Sequence, residues 1–170
     1  MLNESVSKLL IEQITKEFYS AYLYLDFANF YNLSGLNGFS NWFTVQAQEE
    51  RDHAMLFSTY LLNNGTAPVL GAIASPTTDY PDFKAPLLGA LEHEKYITAS
   101  IYDIYTEASA VKDYRTIQFL DWFVKEQGEE EKNAEDLIRK YELFGQESKS
   151  LYMLDTELSA RIYSPPSLVL

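Results

Sequence analysis

Apolar side chains recur at steps of three and four residues along four long segments of the chain, as they do on one face of an α-helix. Ala21, Tyr24 and Ala28 show this spacing in the first segment. A shorter segment of the same kind follows the fourth, and no segment alternates convincingly as a strand does. The predicted helices span about 5–33, 37–64, 82–110, 113–144 and 147–161, followed by a tail over 162–170. The pattern therefore predicts an all-α chain.

The residues at the ends of these segments suit helix boundaries. Ser5 is a good N-cap for the first helix. Gly65 and Gly145 stand where the second and fourth helices should end. Turn residues near positions 36 and 112 predict two hairpins, one made by the first two helices and one by the third and fourth.

The connection between the second and third helices is long and rich in Pro, Gly, Ser and Thr, which predicts a surface segment without helix. Roughly 17 residues at up to about 3.3 Å each can cover some 55 Å. A helix of about 27 residues is only about 40 Å long. The connection can therefore return the chain to the opposite end of the bundle, which would make the second and third helices parallel.

Polar residues interrupt the apolar faces in a pattern that occurs twice. The first copy consists of Glu17, Glu50 and His53. The second copy consists of Glu94, Gln127 and Glu130, separated by the same two steps along the sequence. Counted from the predicted turns, every member lies at a similar height, roughly 25 Å along the bundle axis. The pattern therefore predicts one polar layer inside the bundle that contains all six side chains.

A layer of buried carboxylates needs a neutralising partner, because an uncompensated buried charge costs several kcal/mol. The sequence places no Lys or Arg in this layer, so a bound cation is the expected partner. Glu50 and His53 are three residues apart on one helix face and can share an ion. Carboxylate oxygens with one imidazole suit iron or manganese better than a four-ligand zinc site.

Composition narrows the class of protein further. The chain has 170 residues, about the length of one domain, so we expect a single domain over 1–170. It has no cysteine, which excludes disulfide frameworks, thiolate zinc sites and iron–sulfur clusters. A net charge of −12 disfavours nucleic acid and anionic membranes as partners. Without a signal-peptide pattern or a long apolar run, a cytoplasmic location is expected.

Four segments together resemble the non-haem bacterial ferritins, and the resemblance extends over essentially the whole chain. They are residues 16–24, 48–54, 92–94 and 122–131. The resemblance implies a ferritin-like bundle, with one iron held by Glu17, Glu50 and His53. A second iron would be held by Glu50, Glu94 and Glu130, with Gln127 beside the pair.

The same resemblance implies two further features. A third iron would be held by Glu49, Glu126 and Glu129, of which the first two are separated by the same step as the two copies of the ligand pattern. Tyr24, two helical turns after Glu17, would stand next to the iron pair and take part in electron supply. Taken singly, each of these three glutamates is better interpreted as a solvated surface residue, as acidic residues on helices usually are.

Departures from neighbouring families also carry information. A haem-binding bacterioferritin would have a second Glu-x-x-His motif and a methionine after Glu50, where this chain has Gln127-x-x-Glu130 and Arg51. Haem is therefore not expected. A rubrerythrin would need cysteine ligands, and a mini-ferritin would lack the fifth helix.

The resemblance implies a homo-oligomeric shell of 24 subunits that stores iron and oxidises Fe(II) with O2 or H2O2.

Two other interpretations stay open at this point. One is a diiron redox or peroxide-detoxifying enzyme of the same bundle type that stores no mineral. The other is a shell subunit whose carboxylates only nucleate mineral. His93 has no matching partner in the repeated pattern and is interpreted as a structural residue, while Trp122, one turn before Glu126, suits either core packing or a position beside the site.

Overall fold

A computed structural model describes residues 2–77 and 79–170; Met1 and Thr78 lie outside the described part. The described residues form five helices and no strand, which confirms the predicted all-α class. The helices are α1 (Glu4–Leu33), α2 (Asn37–Asn63), α3 (Ala85–Ala110), α4 (Tyr114–Phe144) and α5 (Ser148–Leu158). None of them is both long enough and apolar enough to span a lipid bilayer.

Contacts between helix ends establish the direction of each helix. The Tyr31 hydroxyl at the end of α1 donates to the Phe83 carbonyl just before α3. Ser5, at the start of α1, hydrogen-bonds Glu107 near the end of α3. The Tyr60 and Thr116 hydroxyls, 3.0 Å apart, join the end of α2 to the start of α4. Helices α1 and α3 are thus antiparallel and α2 and α3 parallel, so the long crossover is confirmed.

Three of the helices end in the same way, with one residue in the left-handed region. Gly35 (φ 81°), Gly65 (φ 74°) and Lys112 (φ 58°) follow α1, α2 and α3. After Gly65, for example, the Thr66 N–H returns to the Leu61 carbonyl at 2.9 Å, which satisfies a carbonyl that the helix leaves unpaired. The predicted turns near 36 and 112 are therefore present.

The starts of α1 and α3 differ from the predictions, while α2 begins at Asn37 as predicted. Asn3 caps α1 instead of Ser5, and its side chain accepts from the Ser5 N–H at 2.9 Å. Asp82 accepts from the Ala85 N–H, so α3 begins three residues later than predicted. The N-terminus of α2 has no cap of its own; the Asp155 carboxylate of α5 accepts from the backbone N–H groups of Gly38 and Phe39.

Two apolar clusters fill the bundle, one on each side of the polar layer. The cluster nearer the α1–α2 turn includes Tyr31, Phe39 and Leu87, and the other includes Leu10 and Phe123. On each of the four long helices the predicted ligands lie between the residues of the two clusters. Apolar side chains therefore enclose the layer above and below. In these surroundings an uncompensated charge in the layer is energetically unfavourable.

Candidate metal centre

Glu17 from α1 and Glu50 and His53 from α2 converge in the bundle interior. Their ligand atoms lie within 4.8 Å of one another, and none of the three side chains is more than 2% exposed. His53 Nδ1 lies 3.4 Å from Glu50 Oε2, as the three-residue helical step requires. The arrangement offers oxygen and nitrogen donors from two helices to one point.

Two atoms of this group, Glu17 Oε2 and His53 Nδ1, have no hydrogen-bond partner within the described part of the chain. Buried polar atoms are nearly always paired, so two unpaired atoms in one cluster require an explanation. The carboxyl groups of Glu17 and Glu50 are close enough to share a proton. A bound cation would satisfy the same atoms without a proton.

Glu94 from α3 and Glu130 from α4 complete the layer beside Glu50, and both are buried. Gln127 Nε2 donates to Glu94 Oε2 at 3.1 Å, while the Tyr24 hydroxyl donates to Glu94 Oε1. All six residues of the repeated pattern are thus buried, and among the described residues Glu17, Glu50 and His53 are the ones whose ligand atoms lie within 4.8 Å of one another. Of the acidic run 129–131, only Glu130 is buried.

Two buried glutamines that the sequence analysis missed hold the carboxylates. Gln13 Nε2 donates to Glu17 Oε1 at 2.8 Å. Gln46 Nε2 donates to both Glu50 Oε1 (3.1 Å) and Glu130 Oε2 (2.7 Å), so one amide bridges α2 and α4. Each glutamine stands one helical turn before its glutamate, so the two glutamines are separated by the same step as the two glutamates. This repeat of the ligand spacing is the signal that could have found them.

Burial raises the proton affinity of the carboxyl groups in the layer. Burial first, and then the charge of Glu50, raises the pKa of Glu17 and of Glu94 to about 8. Burial and the charge of Glu94 raise the pKa of Glu130 to about 8, and burial with the charge of Glu130 raises that of Glu50 well above its usual value. Without a cation, the layer therefore holds protons at neutral pH.

Aromatic side chains enclose the layer. Tyr24 stacks on Phe43 with ring centroids 5.8 Å apart, and burial, followed by the charges of Glu94 and Glu50, raises the pKa of its hydroxyl well above its usual value. The hydroxyl consequently stays protonated and serves as a donor. On the opposite side, Trp122 meets His53 edge-on at 5.6 Å.

The second histidine, His93, lies outside the ligand layer. Its Nε2 is within hydrogen-bond distance (2.7 Å) of the Ser20 hydroxyl, and its ring packs among Tyr19, Tyr24 and Tyr96. Burial lowers the pKa of His93 to about 4, so the ring is neutral at physiological pH. These surroundings suit the structural role that the sequence analysis assigned to it.

Glu49, Glu126 and Glu129, here called the outer carboxylates, have a different environment. Glu49 and Glu126 are half-buried and Glu129 is exposed. Burial, reinforced in each case by a neighbouring carboxylate, raises the pKa of Glu49 and of Glu126. Cationic side chains are already present: Arg161 Nη2 lies 2.5 Å from Glu49 Oε2, and Lys125 Nζ lies 3.3 Å from Glu129 Oε1.

The fifth helix is present as predicted, but its C-terminal end lies before Arg161. The sequence pattern extends that helix to about 161, whereas α5 ends at Leu158. Beyond it the Asn41 side chain donates to the Leu158 and Arg161 carbonyls, at 3.3 and 3.0 Å. The chain leaves the helix because α2 provides partners for these carbonyls.

Comparison with known proteins finds similar sequences among ferritins. The ferritin-like domain family matches residues 7–144. A probable bacterial non-heme ferritin-like protein of Haemophilus influenzae is 37% identical over 93% of this chain and 96% of its own length. A bacterial non-heme ferritin of Staphylococcus saprophyticus is 35% identical, over 96% and 98%.

Solved structures agree with the sequence relatives. The crystal structure of an open-pore ferritin from the hyperthermophilic archaeon Archaeoglobus fulgidus superposes with a TM-score of 0.92 at 39% identity, covering 95% of this chain and 98% of that one. An engineered closed form of the Archaeoglobus fulgidus ferritin superposes with a TM-score of 0.94 at 38% identity, covering 96% and 100%.

Proposed function

The chain belongs to the ferritin-like domain family, and we propose that it is a cytoplasmic, single-domain iron-storage subunit with ferroxidase activity. In this proposal Glu17, Glu50 and His53 bind one ferrous ion. Glu50, Glu94 and Glu130 bind a second, and Gln127 orients Glu94. Iron is the substrate: it is oxidised in the layer and then deposited as ferric mineral.

The observation that carries the proposal is that Glu17, Glu50 and His53 offer ligand atoms within 4.8 Å of one another, while Glu17 Oε2 and His53 Nδ1 have no hydrogen-bond partner among the described residues. A purely structural polar layer would pair these atoms with protein donors and acceptors. A divalent cation would bind both atoms and offset the burial of the surrounding carboxylates. Hard anionic oxygens stabilise Fe(III) more than Fe(II), so the same ligands favour oxidation of a bound ferrous ion.

The electrons balance with either oxidant. Two ferrous ions give up one electron each; O2 with two protons becomes H2O2, or H2O2 with two protons becomes two water molecules. In this proposal Tyr24, whose hydroxyl donates to Glu94, supplies a further electron to this layer. The protons that the free carboxyl groups hold at neutral pH would leave when iron binds.

The outer carboxylates are proposed to bind a third iron ion beside the pair. Glu49 immediately precedes Glu50 on α2, and Glu126 and Glu129 precede Gln127 and Glu130 on α4. The charge of Glu126 contributes to the raised pKa of Glu49, and that of Glu129 to the raised pKa of Glu126, so the three carboxyl groups are neighbours. Their partial exposure suits an ion that enters or leaves, while full burial suits the pair.

We propose that copies of the chain assemble into a hollow shell of 24 subunits. Exposed apolar side chains on α1 and α5, among them Tyr22, Leu25, Tyr152 and Met153, are the surfaces available for contacts between subunits. The ferritins of Archaeoglobus fulgidus, which superpose over nearly the whole chain, support a shell of this general kind.

One experiment tests storage and oxidation together. Fe(II) is added aerobically to the purified protein, the fast absorbance change is recorded by stopped flow, and particle mass and iron content are then measured on the same sample. We expect a particle of about 24 subunits that contains many more iron ions than three per subunit. A monomer or dimer with only bound iron would favour the diiron redox enzyme, and a loaded shell without a fast phase would favour the subunit that only nucleates mineral.

A further inference from the structure

Arg161 is a cation at the edge of the ligand layer, contributed by the segment that follows α5. Its side chain is only 16% exposed. The backbone around it is held on α2 by the Asn41 amide, and two residues later the Tyr163 hydroxyl donates to Asp52, also on α2. The segment therefore lies along α2, beside the outer carboxylates.

Four contacts hold the Arg161 guanidinium in place. Its carbon lies 4.2 Å from the centre of the Trp42 ring, a cation–π distance. Nη1 donates to the Trp42 carbonyl (3.2 Å) and to Gln46 Oε1 (2.9 Å), and Nη2 donates to Glu49 Oε2 (2.5 Å). One guanidinium thus connects the layer that holds the iron pair with the outer carboxylates.

The contact with Gln46 determines which way that amide points. Because its oxygen accepts from Arg161, its NH2 group must face Glu50 and Glu130, to which it donates. The reversed amide would place oxygen against two carboxylates and NH2 against a guanidinium. Arg161 is therefore a positioning residue for Gln46 and, through it, for two of the proposed iron ligands.

The contact with Glu49 places a positive charge on a proposed ligand of the third iron. A ferrous ion bound through Glu49 Oε2 would compete with Arg161 for the same atom. The competing ion pair is fixed by the Trp42 and Gln46 contacts, so its loss costs more than that of an exposed pair. Lys125 on Glu129 is a weaker competitor, since its side chain is 79% exposed.

We propose that Arg161 is a built-in counter-cation of the third iron position: iron binds Glu49 only when Arg161 leaves it, and this departure also frees Gln46 beside Glu50 and Glu130. Occupancy of the third position is thereby coupled to the ligands of the iron pair. The inference rests on the proposed function, which supplies the third position.

The test is anaerobic titration of the assembled, metal-free protein with Fe(II), followed by calorimetry, so that binding is measured without oxidation. Arg161→Gln removes the charge but keeps a polar side chain that reaches the same region. We expect the third ferrous ion per subunit to bind about tenfold more tightly in this variant than in the wild type. Arg161→Lys keeps the charge but loses the planar guanidinium group. We therefore expect the affinity for the third ferrous ion to be about threefold higher in this variant than in the wild type.

Arg51→Gln is the matched control. Arg51 is on the same helix as Glu49, and its exposed side chain pairs with Asp52 and contacts neither Gln46 nor Glu49. Its loss removes the same charge from the particle, so any general electrostatic effect appears here too. Binding of the third ion should be unchanged in Arg51→Gln. In a Glu49→Gln background the effect of Arg161→Gln should also disappear.

The outcomes separate this inference from the proposed function. If the wild type binds no ferrous ions tightly, the proposed function is wrong. If it binds an iron pair but Arg161→Gln and Arg51→Gln bind the third ion alike, the role of Arg161 alone is wrong. If Arg161→Gln does not fold, as judged by thermal unfolding, Arg161→Lys decides: third-ion affinity equal to that of the wild type would overturn the inference.

Discussion

Two groups of acidic residues on the same helices have opposite environments. Glu50 is buried and held by a glutamine, while its neighbour Glu49 is half-buried and paired with Arg161. On α4, Glu130 is buried whereas Glu129 is exposed and paired with Lys125. Adjacent residues on a helix point about 100° apart. Two neighbouring carboxylates can therefore lie one in the bundle interior and the other near its surface.

The comparison shows that burial, and not acidity, distinguishes the two groups. Glu49 and Glu126 of the outer group repeat at the same step as the inner ligands, so their spacing alone does not separate them from the inner group. Among the described residues, no Lys or Arg contacts a carboxylate of the inner layer directly; Arg161 is separated from that layer by Gln46. The outer carboxylates already have protein cations. In the proposed function, a metal ion would replace the protons of the inner carboxyl groups and would compete with the protein cations that pair with the outer ones.

Removal of a ligand from the inner layer should have the largest effect on Fe(II) oxidation. His53→Ala deletes the imidazole and one of the two unpaired atoms, so we expect the fast phase of Fe(II) oxidation to slow by about 100-fold or more. Stopped-flow absorbance measures this phase. His93→Gln, which changes the other buried histidine, should retain it. Equal rates in His53→Ala and the wild type would contradict the assignment of the inner layer.

A second prediction concerns the pH dependence of the metal-free protein. Glu17, Glu94 and Glu130 have pKa values raised to about 8, against about 4.5 in the unfolded chain. Between these values the native state binds more protons than the unfolded state, so stability should fall as pH rises from about 4.5 to 8. We expect the melting temperature to be several degrees lower at pH 8 than at pH 6, since 1 kcal/mol shifts it by roughly 2–4 °C in a chain of this length.

Glu94→Gln provides the control for this pH effect, because an amide resembles the protonated carboxyl group at every pH. The variant should show a smaller fall in melting temperature between pH 6 and pH 8. Zn²⁺ added to the wild type should reduce the fall as well, since the ion replaces the protons. Identical melting temperatures at both pH values in the metal-free wild type would show that the layer is not protonated.

Removal of an outer carboxylate should have the smallest effect on Fe(II) oxidation. Glu129→Ala removes an exposed carboxylate, so the rate of the fast phase of Fe(II) oxidation should stay within about twofold of the wild-type rate. The number of iron ions oxidised per O2 should change, because the third position loses a ligand. Oxygen-electrode measurements report this ratio, and Glu135→Ala, an exposed glutamate on the same helix, is the control. An unchanged ratio would argue against a third iron at the outer carboxylates.

Local periodicity in the sequence was sufficient for much of the fold and of the candidate site. Helix periodicity predicted the four long helices, and the repeated pattern that begins at Glu17 and again at Glu94 predicted one buried layer. Both inferences depend on helical rise and rotation, which are constant along a chain. The length of the connection predicted the crossover because a chain segment has a maximum reach.

Tertiary structure alone decided the features that join residues distant in sequence. Asp155 caps α2 from α5, and Arg161, three residues after α5 ends, reaches Gln46 and Glu49. Neither contact follows from periodicity, because each depends on how α5 and the segment after it turn back onto α2, a helix far away in the chain. The sequence determined which residues share a helix face, and only packing determined which cation or amide stands opposite them.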